Sequence, residues 1–375
     1  MAWLAACSII RKGITVATTR GSALLNMADD DLLTRGSLCL DLLLDEAKPS
    51  GTLLLLERSN LNSDGWPLSI SLKRNLDRSI TLTLCQPGCS LEHRVVAPHA
   101  STGEHDAARL VYSWDSLARW GRLALMTAAG ANIATVDIPA PPPLRVKDAK
   151  ALLDALPATA DTCGLLSASI NTDIVPVTSL GGLALPTKVA TPEGPKSLGQ
   201  LRRGDLVLTP EGESIPILHR IHRRVPAVGH DTPLRLRAPF FGLTEDLILA
   251  PQQRLVVSGT DVDYLFGRSD VRLTAAMLDG TALVAPSDSA SSSELMRPHL
   301  LIDLAQLILP RHQRFIAAGT AVESLYLGRL RRDRKAYAVS ALSHLDRHAM
   351  PEHAIDPAPL LRSFDAAVLA ERRIA

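Results

Sequence analysis

The sequence predicts a mainly β protein of two domains, and three observations carry that expectation. From Gly51 onward the apolar residues alternate in short runs, a proline-dense connector follows residue 138, and a second β-rich stretch covers about 183–328. Successive side chains of a strand point to opposite faces, so period-two apolar runs broken by polar turns mark antiparallel hairpins with one buried face.

The first hairpin is the clearest. Leu68, Ile70 and Leu72 alternate on one side of the polar run Lys73-Arg74-Asn75-Leu76-Asp77, and Ile80, Leu82 and Leu84 alternate on the other. Further strands fit 52–57, 94–97, 108–114, 123–127 and 133–138, with Ala129-Gly130-Ala131-Asn132 as a turn. Six or more short strands predict a β-sandwich-like, lectin-like domain over 36–140. Trp114 and Trp120 fall in this region, and their amphipathic rings are expected in its core. An exposed face carrying Trp66, Trp114 or Trp120 would instead be a platform for carbohydrate.

Pro139, Pro141, Pro142 and Pro143 deny a continuing strand its ladder donors, which ends the first domain. A connector with one short helix over 147–156 and loops over 157–179 is expected to span 141–182. A second β-rich domain then occupies 183–330. The remainder, 331–375, begins with a basic segment that continues from Arg329 through Arg331, Arg332, Arg334 and Lys335 and is read as solvated surface. It ends in a short amphipathic helix in which Leu360, Leu361, Phe364 and Val368 repeat at helical spacing.

Composition narrows the function classes. The chain has 375 residues with 46% hydrophobic and 21% charged content, enough for two cores without disulfides. Its 40 basic and 39 acidic residues leave a formal net charge of +1, so neither nucleic acid nor an anionic membrane is indicated as a partner. Five cysteines at irregular spacing do not form a disulfide framework. Cys85 and Cys89 flank Gln86-Pro87-Gly88, which lets the thiols approach one another, yet no second ligand pair accompanies them for a metal. His344, His348 and His353 are read as exposed histidines of a polar tail. No metal and no cofactor is expected. The apolar run near the N-terminus is followed rather than preceded by Arg11 and Lys12, the reverse of a secretory signal, and the default expectation is a soluble cytoplasmic protein.

The most specific feature is a run of motifs. Thr187-Lys188-Val189-Ala190-Thr191-Pro192-Glu193-Gly194 is followed by Leu201-Arg202-Arg203-Gly204-Asp205-Leu206-Val207, then by Leu249-Ala250-Pro251-Gln252-Gln253-Arg254-Leu255, and finally by Leu309-Pro310-Arg311-His312-Gln313 and Val322-Glu323-Ser324-Leu325. In this order, over about 145 residues, the segment resembles the Hint (hedgehog/intein) family, whose modules open with T-x-V/I-A-T-x-x-G and L-x-x-G-D-x-V. The resemblance implies an all-β horseshoe fold.

It also implies where chemistry would sit. Active members begin with a Cys or Ser that attacks the preceding carbonyl, and an internal Thr/Ser-x-x-His motif binds the oxyanion and protonates the leaving nitrogen. The nucleophile's place falls on Gly182, and the T-x-x-H motif falls on Ala250 through Gln253. A glycine has no nucleophile, and a Gln amide has no proton to give at neutral pH. Of the later histidines His312 remains, and it is read as a structural hydrogen-bonder. The expected function is therefore a non-catalytic scaffold or binding module with a protein or glycan partner, and enzyme activity is not expected. The alternative is atypical self-cleavage near 178–187, for which Ser179 is a substitute nucleophile. Carbohydrate binding by the first domain is the third reading.

Overall fold

The computed structural model describes residues 3–10, 15–20, 27–44, 50–58, 67–96, 106–127, 133–154, 164–178, 180–285, 301–354 and 358–374. The chain divides into two compact units. The first comprises Met1–Thr178, Val228–His230 and Val339–Ala341; the second comprises Ser179–Ala227, Asp231–Ala338 and Leu342–Ala375. The fold is mainly β, with a short helix near the C-terminus.

In the first unit, chain order gives β1 (Trp3–Ile10), β2 (Thr15–Arg20), β3 (Leu32–Leu33), β4 (Arg35–Leu44), β5 (Gly51–Arg58), β6 (Leu68–Arg74), β7 (Ser79–Gln86), β8 (Cys89–Val96), β9 (Asp106–Asp115), β10 (Trp120–Thr127), β11 (Ile133–Pro139), β12 (Leu144–Arg145), α1 (Val146–Asp154) and β13 (Leu165–Asn171). A seven-stranded antiparallel sheet runs β11-β10-β9-β4-β13-β1-β2, and a four-stranded sheet runs β5-β6-β7-β8. Both feed one core. Leu38, Leu40 and Leu42 of β4 and Leu110, Tyr112 and Trp114 of β9 cluster with Leu72, Leu82 and Leu84 of the smaller sheet. Trp114 is fully buried and donates its indole N–H to the Leu33 carbonyl at 2.9 Å, so its one polar atom is satisfied.

The hairpin expected around residues 68–84 is β6 and β7, closed by the Asn75 N–H donating to the Ser79 carbonyl at 2.8 Å. Two expectations need correction. The stretch 157–179, read as loops, contains β13, which lies between β4 and β1 in the large sheet. Its residues Ser-Ala-Ser-Ile-Asn do alternate polar with apolar, but both of its faces are buried, so the polar ones lie inside as well. The thiols of Cys85 and Cys89 do not face each other: Cys85 is paired with Ser90, and Cys89 with Gln86, which places them on opposite faces of the hairpin. The expected turn over 129–132, and Trp66, lie outside the described residues.

Behind the apolar face of β4, β9 and β13 lies a second buried face, and it is polar. Ser37, Cys39 and Asp41 alternate with the leucines of β4, Arg109 stands opposite Asp41 on β9, and Ser167 stands opposite it on β13. The Asp41 carboxylate accepts two bonds from Arg109, Nε at 2.7 Å and Nη2 at 3.0 Å, one from the Ser167 hydroxyl at 2.9 Å and one from the His230 backbone N–H at 2.9 Å. Burial alone would favour the neutral acid, but the Arg109 and His230 charges and their hydrogen bonds hold the carboxyl well below the usual range.

The second unit contains β14 (Leu183–Ala184), β15 (Lys188–Val189), β16 (Lys196–Ser197), β17 (Leu206–Leu208), β18 (Ser214–Pro216), β19 (His219–Pro226), β20 (Leu234–Leu236), β21 (Leu247–Leu249), β22 (Arg254–Ser258), α2 (Thr260–Phe266), β23 (Asp270–Thr274), β24 (Leu301–Ile308), β25 (Arg314–Ala317), β26 (Thr320–Glu323), α3 (Arg334–Ala338) and α4 (Ser363–Ile374). Its sheets run β19-β24-β14-β21-β20 and β16-β15-β25-β26-β22-β23, with β17 and β18 as a separate hairpin. One apolar cluster joins them, from Leu183 and Val189 through Leu255, Leu273 and Phe315 to Leu361, Leu369 and Ala370.

The C-terminal helix buries a different face from the one expected from the spacing of Leu360, Leu361, Phe364 and Val368. Ala366, Leu369 and Ala370 are inside, while Phe364 is 77% exposed. No helix among the described residues is long and apolar enough to cross a membrane.

Candidate functional site

The short strand β14 sits between β21 and β24, with Leu183 opposite both Leu249 and Ala305. That pairing brings the two residues before it, Gly181 and Gly182, to the turn after β21. The Gly182 carbonyl accepts the Ala250 N–H at 2.8 Å, and the Gln253 N–H closes the turn onto the Ala250 carbonyl at 3.0 Å. A Cβ on Gly181 would fall 2.9 Å from Gln253 Oε1 and 3.0 Å from Gln253 Cα, so a side chain here would have to displace the Gln253 amide from its bonds. At Gly182 a Cβ would meet the Ala305 carbonyl and Leu304 Cβ, each at 3.3 Å, a tight but less severe contact.

Gln253 is buried, and its amide is committed on every side. Nε2 donates to the Arg254 carbonyl at 2.9 Å and to the Glu323 carbonyl at 3.1 Å, and Oε1 accepts from Gln306 Nε2 at 2.7 Å. Gln306 in turn donates to the Glu323 carbonyl at 3.2 Å and accepts the Leu307 N–H at 3.0 Å. Both Nε2 hydrogens of Gln253 thus have protein acceptors, which leaves neither for an oxyanion at the Gly181–Gly182 peptide.

Glu323, at the end of β26, carries the charge of the site. Its buried carboxylate lies 3.2 Å from Arg272 Nη1, 3.7 Å from Arg254 Nη1 and 3.4 Å from His312 Nε2. Burial would raise its pKa, yet His312, Arg254 and Arg272 outweigh burial and hold it below the ordinary carboxylate range. The His312 side chain is 2% exposed. Neither of its ring nitrogens makes a well-directed hydrogen bond, so the expected structural hydrogen-bonder is held mainly by its approach to Glu323 and by rings. Tyr326 lies 4.9 Å away between centroids, and His353 stacks at 6.0 Å.

His353 is not a tail histidine, contrary to the sequence reading. It is buried, its Nδ1 accepts the Leu327 N–H at 3.2 Å, and its Nε2 lies 3.1 Å from the Leu309 carbonyl. A carbonyl can only accept, which fixes the neutral ring protonated at Nε2. Burial lowers its pKa, consistent with that form. The proline-flanked context of His353 hid this, because the residues it bonds lie 26 and 44 positions away. His344 and His348 are exposed, as expected.

Gly182, Ala250, Gln253 and His312 are therefore linked by one series of contacts: Gly182 to Ala250, Ala250 to Gln253, Gln253 to the Glu323 main chain, and the Glu323 side chain to His312. Sequence reasoning named those four, quoted Glu323 in a motif without giving it a role, placed His353 in an exposed tail, and missed Gln306 and Arg272. The motif Val322-Glu323-Ser324-Leu325, with an acid beside apolar neighbours, was the available signal for Glu323. Ser179 lies outside the described residues. Arg331 and Arg332, read as solvated charge, share the Glu352 carboxylate at 2.6–2.8 Å and hold its pKa down at about 2. Among the described residues no three His, Cys, Asp or Glu side chains are placed to hold a metal ion.

Comparison with known proteins bears on this half of the chain. A family model described as "Hint domain" matches residues 182–329. Among solved structures, the gp41-1 intein is similar at 15% identity over 38% of this chain and 98% of its own, with a TM-score of 0.23. The Msm DnaB1 intein splicing domain bound with zinc is similar at 14% identity over 37% of this chain and 98% of its own, with a TM-score of 0.24. The LG1-3 region of the laminin alpha2 chain is similar at 9% identity over 87% of this chain and 69% of its own, with a TM-score of 0.25. No curated protein matches this chain.

Proposed function

With residues 182–329 a Hint domain, we propose that this module serves as a non-catalytic scaffold or binding module rather than a self-cleaving one. The observation that carries the reading is the Gln253 amide. Acyl transfer at the peptide before β14 requires a nucleophile, an oxyanion donor and an acid for the departing nitrogen. Gly182 supplies no nucleophile, and Gln253 spends both donor hydrogens on the Arg254 and Glu323 carbonyls. Ala250 adds neither hydroxyl nor acid. The carboxylate of Glu323 is held ionised by its neighbours and so cannot serve as a proton donor near neutral pH.

The partner is a protein in this reading, because the described tryptophans of the first unit offer little for a glycan. Trp114 is fully buried, and Trp120 is half-buried with the Arg122 guanidinium 5.0 Å above its ring. The test is intact-mass measurement of purified full-length chain after prolonged incubation with and without a thiol nucleophile. A single intact species supports the reading. A break between residues 178 and 187 that disappears in His312→Ala overturns it in favour of self-cleavage.

A further inference from the structure

The stretch matched as a Hint domain ends at residue 329, and residues 342–354 pack back onto it. Leu342 and Met350 are buried with Ile308, Leu325 and Leu327 in one apolar cluster. Polar ties hold the end of this segment. Arg331 Nη1 donates to the Met350 carbonyl at 3.1 Å, and Arg331 and Arg332 share the Glu352 carboxylate. The His353 backbone N–H donates to the Gly328 carbonyl at 3.0 Å, and its ring joins two further stretches of chain through Leu327 and Leu309.

Of these ties, the ring's alone responds to mild acid. The arginines keep their charge, and Glu352, bonded by Arg332 and Arg331, is held at about 2 and stays ionised. The Leu327 N–H can only donate and the Leu309 carbonyl can only accept, so His353 keeps its place as a neutral ring with its proton on Nε2. A proton added at Nδ1 would set two N–H groups against each other across 3.2 Å. The surroundings offer that proton no counter-ion. His312 stacks on the ring at 6.0 Å, and its charge opposes a second one. The Glu323 carboxylate is engaged by His312, Arg254 and Arg272. Tyr326, 6.4 Å away, presents a ring, and Glu352 is engaged by two arginines.

We infer that His353 is a pH-operated clasp: a proton on its ring releases residues 350–354 from the Leu309 and Leu327 stretches and withdraws Met350 from the apolar cluster, and loss of that proton reseats them. A single charge change on a histidine thereby biases one segment between two placements. The ties that remain after the ring lets go are weak. Arg331 and Arg332 are 41% and 63% exposed in their pairs with Glu352, and exposed ion pairs contribute little. Local opening of this kind costs less than global unfolding and leaves the sheets intact. It uncovers Leu325 and Leu327 beside Tyr326, so acidification changes what this face presents to a partner. The clasp operates whether or not the module cleaves itself.

The test is hydrogen exchange at the His353 backbone N–H in the full-length chain, from about pH 7.5 to about pH 5.5, corrected for intrinsic rate. The bond of this N–H to the Gly328 carbonyl does not involve the ring, so it is lost only when the segment leaves. Protection there is expected to fall toward about tenfold for each pH unit below about 6.5, to return at neutral pH, and to leave Leu255 and Leu273 of the sheet unaffected. Constant protection at His353 overturns the inference, even where Leu327 exchanges faster. Loss at Leu255 and Leu273 in step with His353 overturns it too, because the event is then global. His353→Gln keeps a donor and an acceptor without a titrating ring, and protection at the same position is expected to be flat across the range; a pH dependence that persists overturns the assignment to His353. Ring-carbon resonances of His353 in the unmodified chain need no variant: a ring that protonates while its own amide stays protected overturns the clasp, and a ring that is neutral wherever the amide is protected supports it.

Discussion

Gln306 donates its side-chain amide to Gln253 at 2.7 Å, and the two amides together take up the Glu323 carbonyl, the Arg254 carbonyl and the Leu307 N–H. Two residues 53 apart in sequence thereby form one saturated buried network where the family resemblance expects an acid.

Breaking that network has a defined cost. Gln306→Leu removes the donor to Gln253 Oε1 and the acceptor of the Leu307 N–H, leaving both buried groups unpaired. The expected loss is about 1–3 kcal/mol for each buried group left unsatisfied, read as a lower urea midpoint with an unchanged m-value.

Glu323 governs the acid limb of stability in the second unit. Its folded pKa lies below its unfolded value, so its contribution is complete above the unfolded value of about 4.3 and is lost as pH falls through the folded pKa. Glu323→Gln is expected to be less stable than wild type at neutral pH by about 3–5 kcal/mol, because Arg272 keeps its buried charge without its counter-ion. The gap between the two should narrow below about pH 4. Denaturant titrations at pH 3 and pH 7 check both parts, and a constant gap contradicts the assignment.

His353 should loosen on mild acidification. Its folded pKa is depressed, so the stability it adds is complete above the unfolded value of about 6.5 and falls away as pH drops through the folded value. Protonated Nδ1 no longer accepts the Leu327 N–H. Hydrogen exchange at Leu327, corrected for intrinsic rate, is expected to accelerate below about pH 6, and His353→Phe should remove that pH dependence.

Two glycines are predicted to resist even alanine. At Gly36 a Cβ would stand 2.6 Å from Trp114 Cζ2 and 2.8 Å from the Asn171 carbonyl, and both neighbours are fixed in the core. At Gly181 it would meet Gln253 Oε1 and Cα. Gly36→Ala should cost about 3 kcal/mol or more and Gly181→Ala about 1–3 kcal/mol, the range of overpacking; thermal unfolding of both variants ranks them. Equal, negligible effects would mean that neither backbone approach is as close as described.

The half-buried hairpins were legible because Leu68, Ile70, Leu72 and their partners Ile80, Leu82 and Leu84 place a clean contrast on two faces. β13 was not, because Ser167 and Ser169 are as buried as Ala168 and Ile170, and the alternation signals only a difference in exposure between faces. The same limit hid the site's charged centre. Gly182, Ala250, Gln253 and His312 could be named by motif, whereas Glu323, Gln306 and Arg272 matter through pairings across 17 to 70 residues that no local pattern encodes. Pairing geometry also decided against a Cys85–Cys89 approach, since strand register rather than loop length sets which thiol points where.

The first unit takes residues 228–230 and 339–341 from far along the chain. On a ribosome that feeds the chain out from its N-terminus, Asp41, Arg109 and Ser167 emerge long before His230 can reach them. The acid on β4 must wait, partly served, while some sixty further residues are made after β13 ends at Asn171. A ribosome stalled between β13 and β19 would therefore display every strand of this sheet with the buried Asp41 still short of the His230 donor.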